Sequence, residues 1–365
     1  MNKKFKDAIR QIHLWLGLGT GLVVVIISLT GCVYVFEKEI RAFVQKDYKE
    51  VPFENKSFAG LAPIIQNFEK LKTGETLTAV RITNNKPNAT VSITTKNQQV
   101  YFFNPYTAAL VKKSSLDWLD TAEHIHTSLL LDEPGKFIIR WSVVMFVILL
   151  FTGLILWFPN QMRLLKQSLT VKWGASFKRV NYDLHNVLGF YASGILILIS
   201  LSGLYFAFKE VKGVTSFLTG TQLSKPLKAS LDQPEVPKDL PSRYAYLYTQ
   251  AITKFPGANT TAITVRKTGE IRLRMIYPGN WSKNQNTFFF DPVTGKMMTA
   301  KLYKNFTTAD VIEATNYDFH TGQFFGLFGK IVACIASLIS ASLPITGFII
   351  WLKKRKKKSK KKQFA

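Results

Sequence analysis

The sequence predicts an α-helical polytopic membrane protein: four transmembrane helices in two tandem repeats, with two periplasmic α+β modules between them. Three observations carry that prediction. Four stretches, Leu14–Phe36, Phe137–Phe158, Val187–Phe208 and Ile331–Leu352, are apolar over close to the roughly 20 residues that a spanning helix needs. Shifting residues 13–36 by 172 positions lays His13 on His185, Gly17 on Gly189, Ser28-Leu29-Thr30-Gly31 on Ser200-Leu201-Ser202-Gly203 and Phe36 on Phe208, without a gap. Shifting 126–157 by 194 lays His126 on His320, Thr127 on Thr321, Gly135-Lys136 on Gly329-Lys330, Thr152-Gly153 on Thr346-Gly347 and Trp157 on Trp351, which marks an internal duplication. The third observation is that the intervening segments, roughly 40–120 and 210–315, have the alternation and turn residues of small α+β modules.

The expected order along the chain is a cytoplasmic start (1–13), a first helix (14–36), a first module (40–120) and a second helix (137–158). A cytoplasmic loop (159–186), a third helix (187–208), a second module (210–315), a fourth helix (331–352) and a basic tail (353–365) follow. A buried core helix is the other reading of a long apolar run, but four of this length in one chain argue for a bilayer. Arg140 is the one charge inside a span, and it lies a turn from the end, where a guanidinium reaches headgroups. Pro344 within the fourth helix predicts a bend.

Leu29-Thr30-Gly31-Cys32 after a basic start resembles a lipoprotein signal. The duplication argues otherwise, because Leu204 replaces Cys32 in the second copy and the apolar run continues through Val33-Tyr34-Val35-Phe36. Cys32 and Cys334, the two cysteines, both fall within spans and read as packing residues. Basic residues at Lys3, Lys4, Lys6 and Arg10, in the 159–184 loop, and at Lys353–Lys362 all fall on one side, which should be cytoplasmic together with both termini. The net charge of +25 therefore reflects topology and membrane lipid; no nucleic-acid recognition motif accompanies it.

Four of the five histidines occupy the two duplicated positions. In this topology His13 and His185 lie at the inner ends of helices one and three, while His126 and His320 lie on the outer side, ahead of helices two and four. A parallel duplication places equivalent residues across an axis along the membrane normal, so each pair can offer two imidazoles to the axial positions of a haem iron. Two pairs imply two b-type haems. His13 and Gly31, 18 residues apart, set the two levels about 27 Å apart along one helix. Gly31 and Gly203 match the outer level in depth and Gly153 and Gly347 the inner one; they read as close-approach positions for a macrocycle or as ordinary helix packing.

Haem carboxylates call for cations. Lys136, Lys330 and Arg140 are candidates on the outer side and Arg10, Lys178 and Arg179 on the inner, with headgroup contact the alternative for each. Asp183 and Asp318, two residues before a histidine in Tyr-Asp-x-His, are candidates either to orient an imidazole or to cap a helix. His124 has Asp318 as its counterpart, so symmetry does not make it an axial ligand; an accessory role stays open, whether accepting a proton, contacting a substrate or replacing His126 in a slightly different register.

Both modules end alike: Tyr101-Phe102-Phe103-Asn104-Pro105 matches Phe288-Phe289-Phe290-Asp291-Pro292, each followed by a short strand. Asn or Asp before Pro starts a turn, so the motif reads first as structural. Aromatic-Asp/Asn-Pro-x-Thr-Gly modules resemble PepSY domains. Helices with His-x-x-x-Gly, Thr-Gly and His-Thr-Gly resemble the PepSY-associated transmembrane family over nearly the whole chain. That resemblance implies an inner-membrane protein of bacteria, among whose relatives are reductases that release iron from ferric siderophores in the periplasm. The chain continues thirteen residues past Leu352, with no flavin domain there, so the expected electron donor is separate, a quinol or a cytoplasmic reductase. The partners expected are thus a ferric chelate or siderophore, that donor and membrane lipid. Two other readings stay open: a haem-free membrane anchor displaying binding or inhibitory modules, and a di-haem carrier serving a non-iron acceptor.

Overall fold

A computed structural model describes residues 3–115, 117–228, 236–279 and 281–363; of the basic tail, the side chains beyond 355 and residues 364–365 lie outside the description. The chain divides into two compact units. One joins Met1–Glu37, Trp118–Val214 and Asn316–Ala365; the other joins Lys38–Asp117 and Thr215–Thr315.

The first unit is helical. Its long helices are α1 (Lys3–Tyr34), and further along the chain those at Asp132–Trp157, Phe177–Ala207 and Gly326–Gln363. With the shorter helices needed below, the labels in chain order are α2 (Leu61–Lys70), α3 (Trp118–Ser128), α4 (Asp132–Trp157), α5 (Phe177–Ala207), α6 (Leu240–Lys254), α7 (Thr308–His320) and α8 (Gly326–Gln363). Four of them, α1, α4, α5 and α8, are long and apolar enough to cross a membrane, as expected for a multi-pass membrane protein. They start earlier than the apolar runs alone indicate, so His13 lies within α1 and His185 on a π-helical turn, Leu184–Leu188, inside α5. Extra-residue turns of this kind re-aim side chains and often sit at functional positions.

Contacts run α1–α4, α4–α5, α5–α8 and α8–α1, a four-helix ring with α1 diagonal to α5. Its polarity is inverted relative to a water-soluble bundle: Leu22, Phe151, Leu198 and Ile335 point outward, whereas Thr20, Ser142, Ser193, Ser200 and Ser340 are buried. Apolar side chains gain little by leaving lipid, so small polar residues that allow close approach share the interior with an apolar cluster of Leu150, Ala192, Leu196 and Ala336. Ser28 donates to Ser340 across α1 and α8 at 3.0 Å. Near them Cys32 lies within hydrogen-bonding reach of Cys334, and both thiols are free.

The turns before α4 and α8 are built alike. A Cβ on Gly135 would overlap the Ser128 carbonyl at 1.6 Å, and one on Gly329 would overlap the Gly322 carbonyl at 2.1 Å. These are equivalent positions at the 194-residue offset, and each lets a spanning helix fold back tightly on the helix before it.

The second unit carries a sheet of nine strands: β1 (Leu77–Thr83), β2 (Val91–Thr95), β3 (Val100–Phe103), β4 (Leu110–Ser114), β5 (Leu227–Lys228), β6 (Thr260–Val265), β7 (Ile271–Ile276), β8 (Gln285–Phe290) and β9 (Met297–Lys301). The order is β4-β3-β2-β1-β6-β7-β8-β9-β5. The segments expected to form separate modules therefore share one sheet, sealed by antiparallel β1 and β6. Thr78-Ala79-Val80 matches Thr261-Ala262-Ile263 at a spacing of 183, and Val80 pairs with Ile263, so a local two-fold passes through that pair. Alone, each module would present an unpaired strand edge; pairing the two satisfies both.

One face of the sheet is apolar and covered by α2 and α6. Ile64, Ile65 and Phe68 from α2 and Tyr244 and Leu247 from α6 meet Val80, Ile93, Phe103, Ile263, Leu273 and Phe288 in one core. The repeated Asn-Pro and Asp-Pro segments are turns, as read: Asn104 Oδ1 accepts from the Tyr106 amide at 2.8 Å, and Asp291 Oδ1 from the Thr294 amide at 2.7 Å.

Candidate functional site

The four duplicated histidines meet in two pairs inside the helical unit. His13 of α1 faces His185 of α5 with ring centres 6.3 Å apart and planes at 88°. His126 of α3 faces His320 of α7 at 6.1 Å and 66°. Each pair draws one ring from each half of the duplication.

Every ring sits in the same socket, made by a Ser/Thr-Gly step on a helix of its own half. His13 Nδ1 is 2.9 Å from Thr152 Oγ1 and also bonds the Leu149 carbonyl. His126 Nδ1 is 2.8 Å from the Ile27 carbonyl and 3.4 Å from Thr30 Oγ1. His185 Nδ1 is 2.9 Å from Thr346 Oγ1 and 3.1 Å from the Leu343 carbonyl, and His320 Nδ1 is 2.9 Å from Ser202 Oγ and 3.1 Å from the Ile199 carbonyl.

These hydroxyls give their own protons to helix carbonyls: Thr152 to Ile148, Thr30 to Ile26, Thr346 to Ser342 and Ser202 to Ile199. They are therefore acceptors toward the imidazoles, as are the second carbonyls, so Nδ1 carries the proton in all four rings. A neutral ring so anchored keeps its lone pair on Nε2, the arrangement that suits metal ligation.

The glycine after each hydroxyl makes room for the ring itself. A Cβ would stand 2.9 Å from His126 Cε1 at Gly31, 3.1 Å from His185 Cε1 at Gly347, 3.3 Å from His13 Cε1 at Gly153 and 3.6 Å from His320 Cε1 at Gly203. The glycines read as close-approach positions for a macrocycle are thus the backs of the histidine sockets. Their depth match with the histidines has that cause.

Two further residues hold the second-half rings. Asn181 donates to the Thr346 carbonyl at 3.0 Å and Asn316 to the Ser202 carbonyl at 3.1 Å, each asparagine one turn before its histidine. The signal was present in the sequence as Asn181-Tyr182-Asp183-Leu184-His185 and Asn316-Tyr317-Asp318-Phe319-His320, and the first half, with Ile9 and Ala122 in those places, lacks it. The aspartates of this motif do not orient the rings by hydrogen bonds to Nδ1: Asp183 pairs with Arg179 at 2.9 Å and accepts from the Lys172 amide, and Asp318 accepts from Gln323.

The candidate cations divide. Lys136 is exposed and paired with Glu133 at 2.7 Å, Lys330 is buried, and Arg10 pairs with Asp7. Lys178 is exposed, and Arg179 is committed to Asp183. Arg140 stacks over the Phe208 ring at 5.4 Å, and its Nε is buried without a hydrogen-bond partner. It lies one turn from Val143, whose side chain is against Gly203 beside His320. His124 is exposed on α3, away from the pairing.

The residues fit a bis-imidazole metal. With metal–nitrogen bonds of roughly 2 Å and a ring radius of roughly 1.2 Å, two imidazoles sharing one ion have centres about 6.4 Å apart, against the 6.3 and 6.1 Å found. Among the described residues no group of three or more His, Cys, Asp or Glu side chains is placed to hold an ion.

Four helices of membrane-spanning length and an additional antiparallel sheet define a class: multi-pass membrane proteins with a separate β-sheet unit. The family model of the PepSY-associated TM region matches residues 10–354, and the chain belongs to that family. No curated protein matches it.

Proposed function

We propose that the chain binds two b-type haems, one between His13 and His185 and one between His126 and His320, and serves as a transmembrane electron carrier that reduces ferric chelates at the periplasmic face of a bacterial inner membrane. The observation that supports it is the two pairs of opposed imidazoles, His13 with His185 and His126 with His320, each ring with Nδ1 anchored and Nε2 left for iron. When bound, haem iron supplies a one-electron couple whose potential the protein tunes through ligand, polarity and burial. The chain's own part is to hold the rings in one tautomer and to offer Arg140 to a carboxylate edge. Conversion of substrate iron to Fe(II) weakens its hold on hard oxygen ligands, which is what release from a siderophore requires. A quinol or a cytoplasmic reductase is the donor in this reading.

Absorbance spectra of purified single variants test it. Alanine at His126 or His320 is expected to remove one of two haem signals and alanine at His13 or His185 the other. Retention of both signals in all four variants overturns the assignment. Wild-type protein without a Soret band would favour the haem-free anchor, and dithionite-reduced protein that ferric siderophore fails to reoxidise would turn the carrier toward another acceptor.

A further inference from the structure

The sheet of the second unit carries three arginines on the face opposite α2 and α6. Arg81 of β1 pairs in register with Ala262 of β6, which pairs with Arg274 of β7; two residues along, Ala79 pairs with Thr264 and Thr264 with Arg272. Residues paired across a sheet point to the same face, so all six share it, whereas Val80, Ile263 and Leu273 point into the core. Arg81 and Arg274 start about 10 Å apart across two strand spacings, and Arg272 and Arg274 about 7 Å apart along one strand. Between β1 and β7 the middle strand β6 puts the small side chains of Ala262 and Thr264 on this face, so the three guanidiniums have room to converge.

Nothing in the described residues neutralises them. None of the three forms an ion pair; Glu270, which attracts Arg272, is already bonded to Arg266 at 3.0 Å. Arg272 Nε reaches the Thr264 hydroxyl at 3.4 Å, and Arg274 Nε is buried with no partner at all. Burial, and then the charges of Arg272 and Arg81, push Arg274 down to about 10. Like charges gathered over small residues cost stability unless an anion joins them, and guanidinium forks match carboxylates in bidentate fashion.

We propose that Arg81, Arg272 and Arg274 form a docking site for a polycarboxylate anion. Resting on the electron-carrier reading, that anion is the negatively charged ferric chelate to be reduced. The site selects for several oxyanion groups on one ligand, and a neutral chelate gains little from it.

Isothermal titration of the full-length protein in detergent with citrate and with gallium(III) citrate tests the proposal, because gallium does not accept an electron and binding is read apart from reduction. Both probes are expected to bind, and Arg274→Ala and Arg81→Ala each to weaken them at least tenfold. Arg274→Lys, which keeps charge and bulk but not the fork, is expected to fall between. Lys96→Ala, which removes an exposed charge elsewhere on the same unit, is expected to change nothing. Unaltered binding in the Arg81→Ala/Arg274→Ala double variant, or an equal loss in Lys96→Ala, overturns it. Titrating His126→Ala in parallel separates the two readings: a failed haem assignment shows in the spectrum, a failed docking site in the heat.

Discussion

Alanine in place of each socket glycine is expected to lower haem occupancy in an order set by distance. Carbon atoms rest at about 3.5–4.0 Å. At Gly31 the new Cβ would be 2.9 Å from His126 Cε1, at least 0.6 Å too close, so the ring must swing. Its Nδ1 is tied to Ile27, and the movement is therefore taken up at Nε2, the ligating end. Overpacking of this kind costs about 1–3 kcal/mol, or roughly five- to 150-fold in ligand affinity. Gly347→Ala at 3.1 Å and Gly153→Ala at 3.3 Å should follow, and Gly203→Ala at 3.6 Å is an ordinary contact and should be near neutral. The informative comparison is Gly31→Ala with Gly203→Ala, since both act on the His126/His320 pair. Haem per polypeptide, measured on protein extracted and purified identically, reads it out. A larger loss in Gly203→Ala than in Gly31→Ala would show that the rings do not lie against these glycines.

Other consequences follow from the same geometry. Thr346→Val removes a hydroxyl acceptor from His185 while keeping shape, and is expected to weaken haem retention about tenfold, with Thr346→Ser restoring it; outer-shell partners of ligating histidines carry effects of roughly 10–100-fold. Equal retention in the valine and serine variants would refute the hydroxyl's role. Crossed ligand planes leave the π-symmetry orbitals of ferric iron nearly degenerate, so the His13/His185 centre at 88° should give the more anisotropic low-spin electron paramagnetic signal, and His185→Ala should remove that signal and not the other. In the sheet unit, burial alone would raise the Asp310 carboxyl, but the Lys301 ammonium at 2.6 Å and the amides of Thr307 and Ser224 hold it at about 2. Because this pKa lies below the ordinary 3.8, the stabilisation is fully present above that value and is lost as pH falls toward 2. It amounts to about 2 kcal/mol. Thermal melts of Asp310→Asn should lack that component of the acid decline; an identical slope in both proteins would count against it.

Helix α1 shows what could be read without coordinates. Its apolar run, His13 and Thr30-Gly31 all stand in the chain, and the 172-residue offset to the second copy ties them to His185 and Ser202-Gly203. Periodicity and motif spacing are local properties, so the four spans were legible and the repeated motifs singled out the four histidines that pair. Partnership is not local. That Thr30-Gly31 receives His126, that Asn181 and Asn316 brace only the second-half sockets, and that β1 and β6 fuse two modules into one sheet depend on which surfaces meet after folding. A Ser/Thr-Gly step looks the same on a lipid-facing helix as behind an imidazole; only the approach of another helix within hydrogen-bonding distance decides which it is.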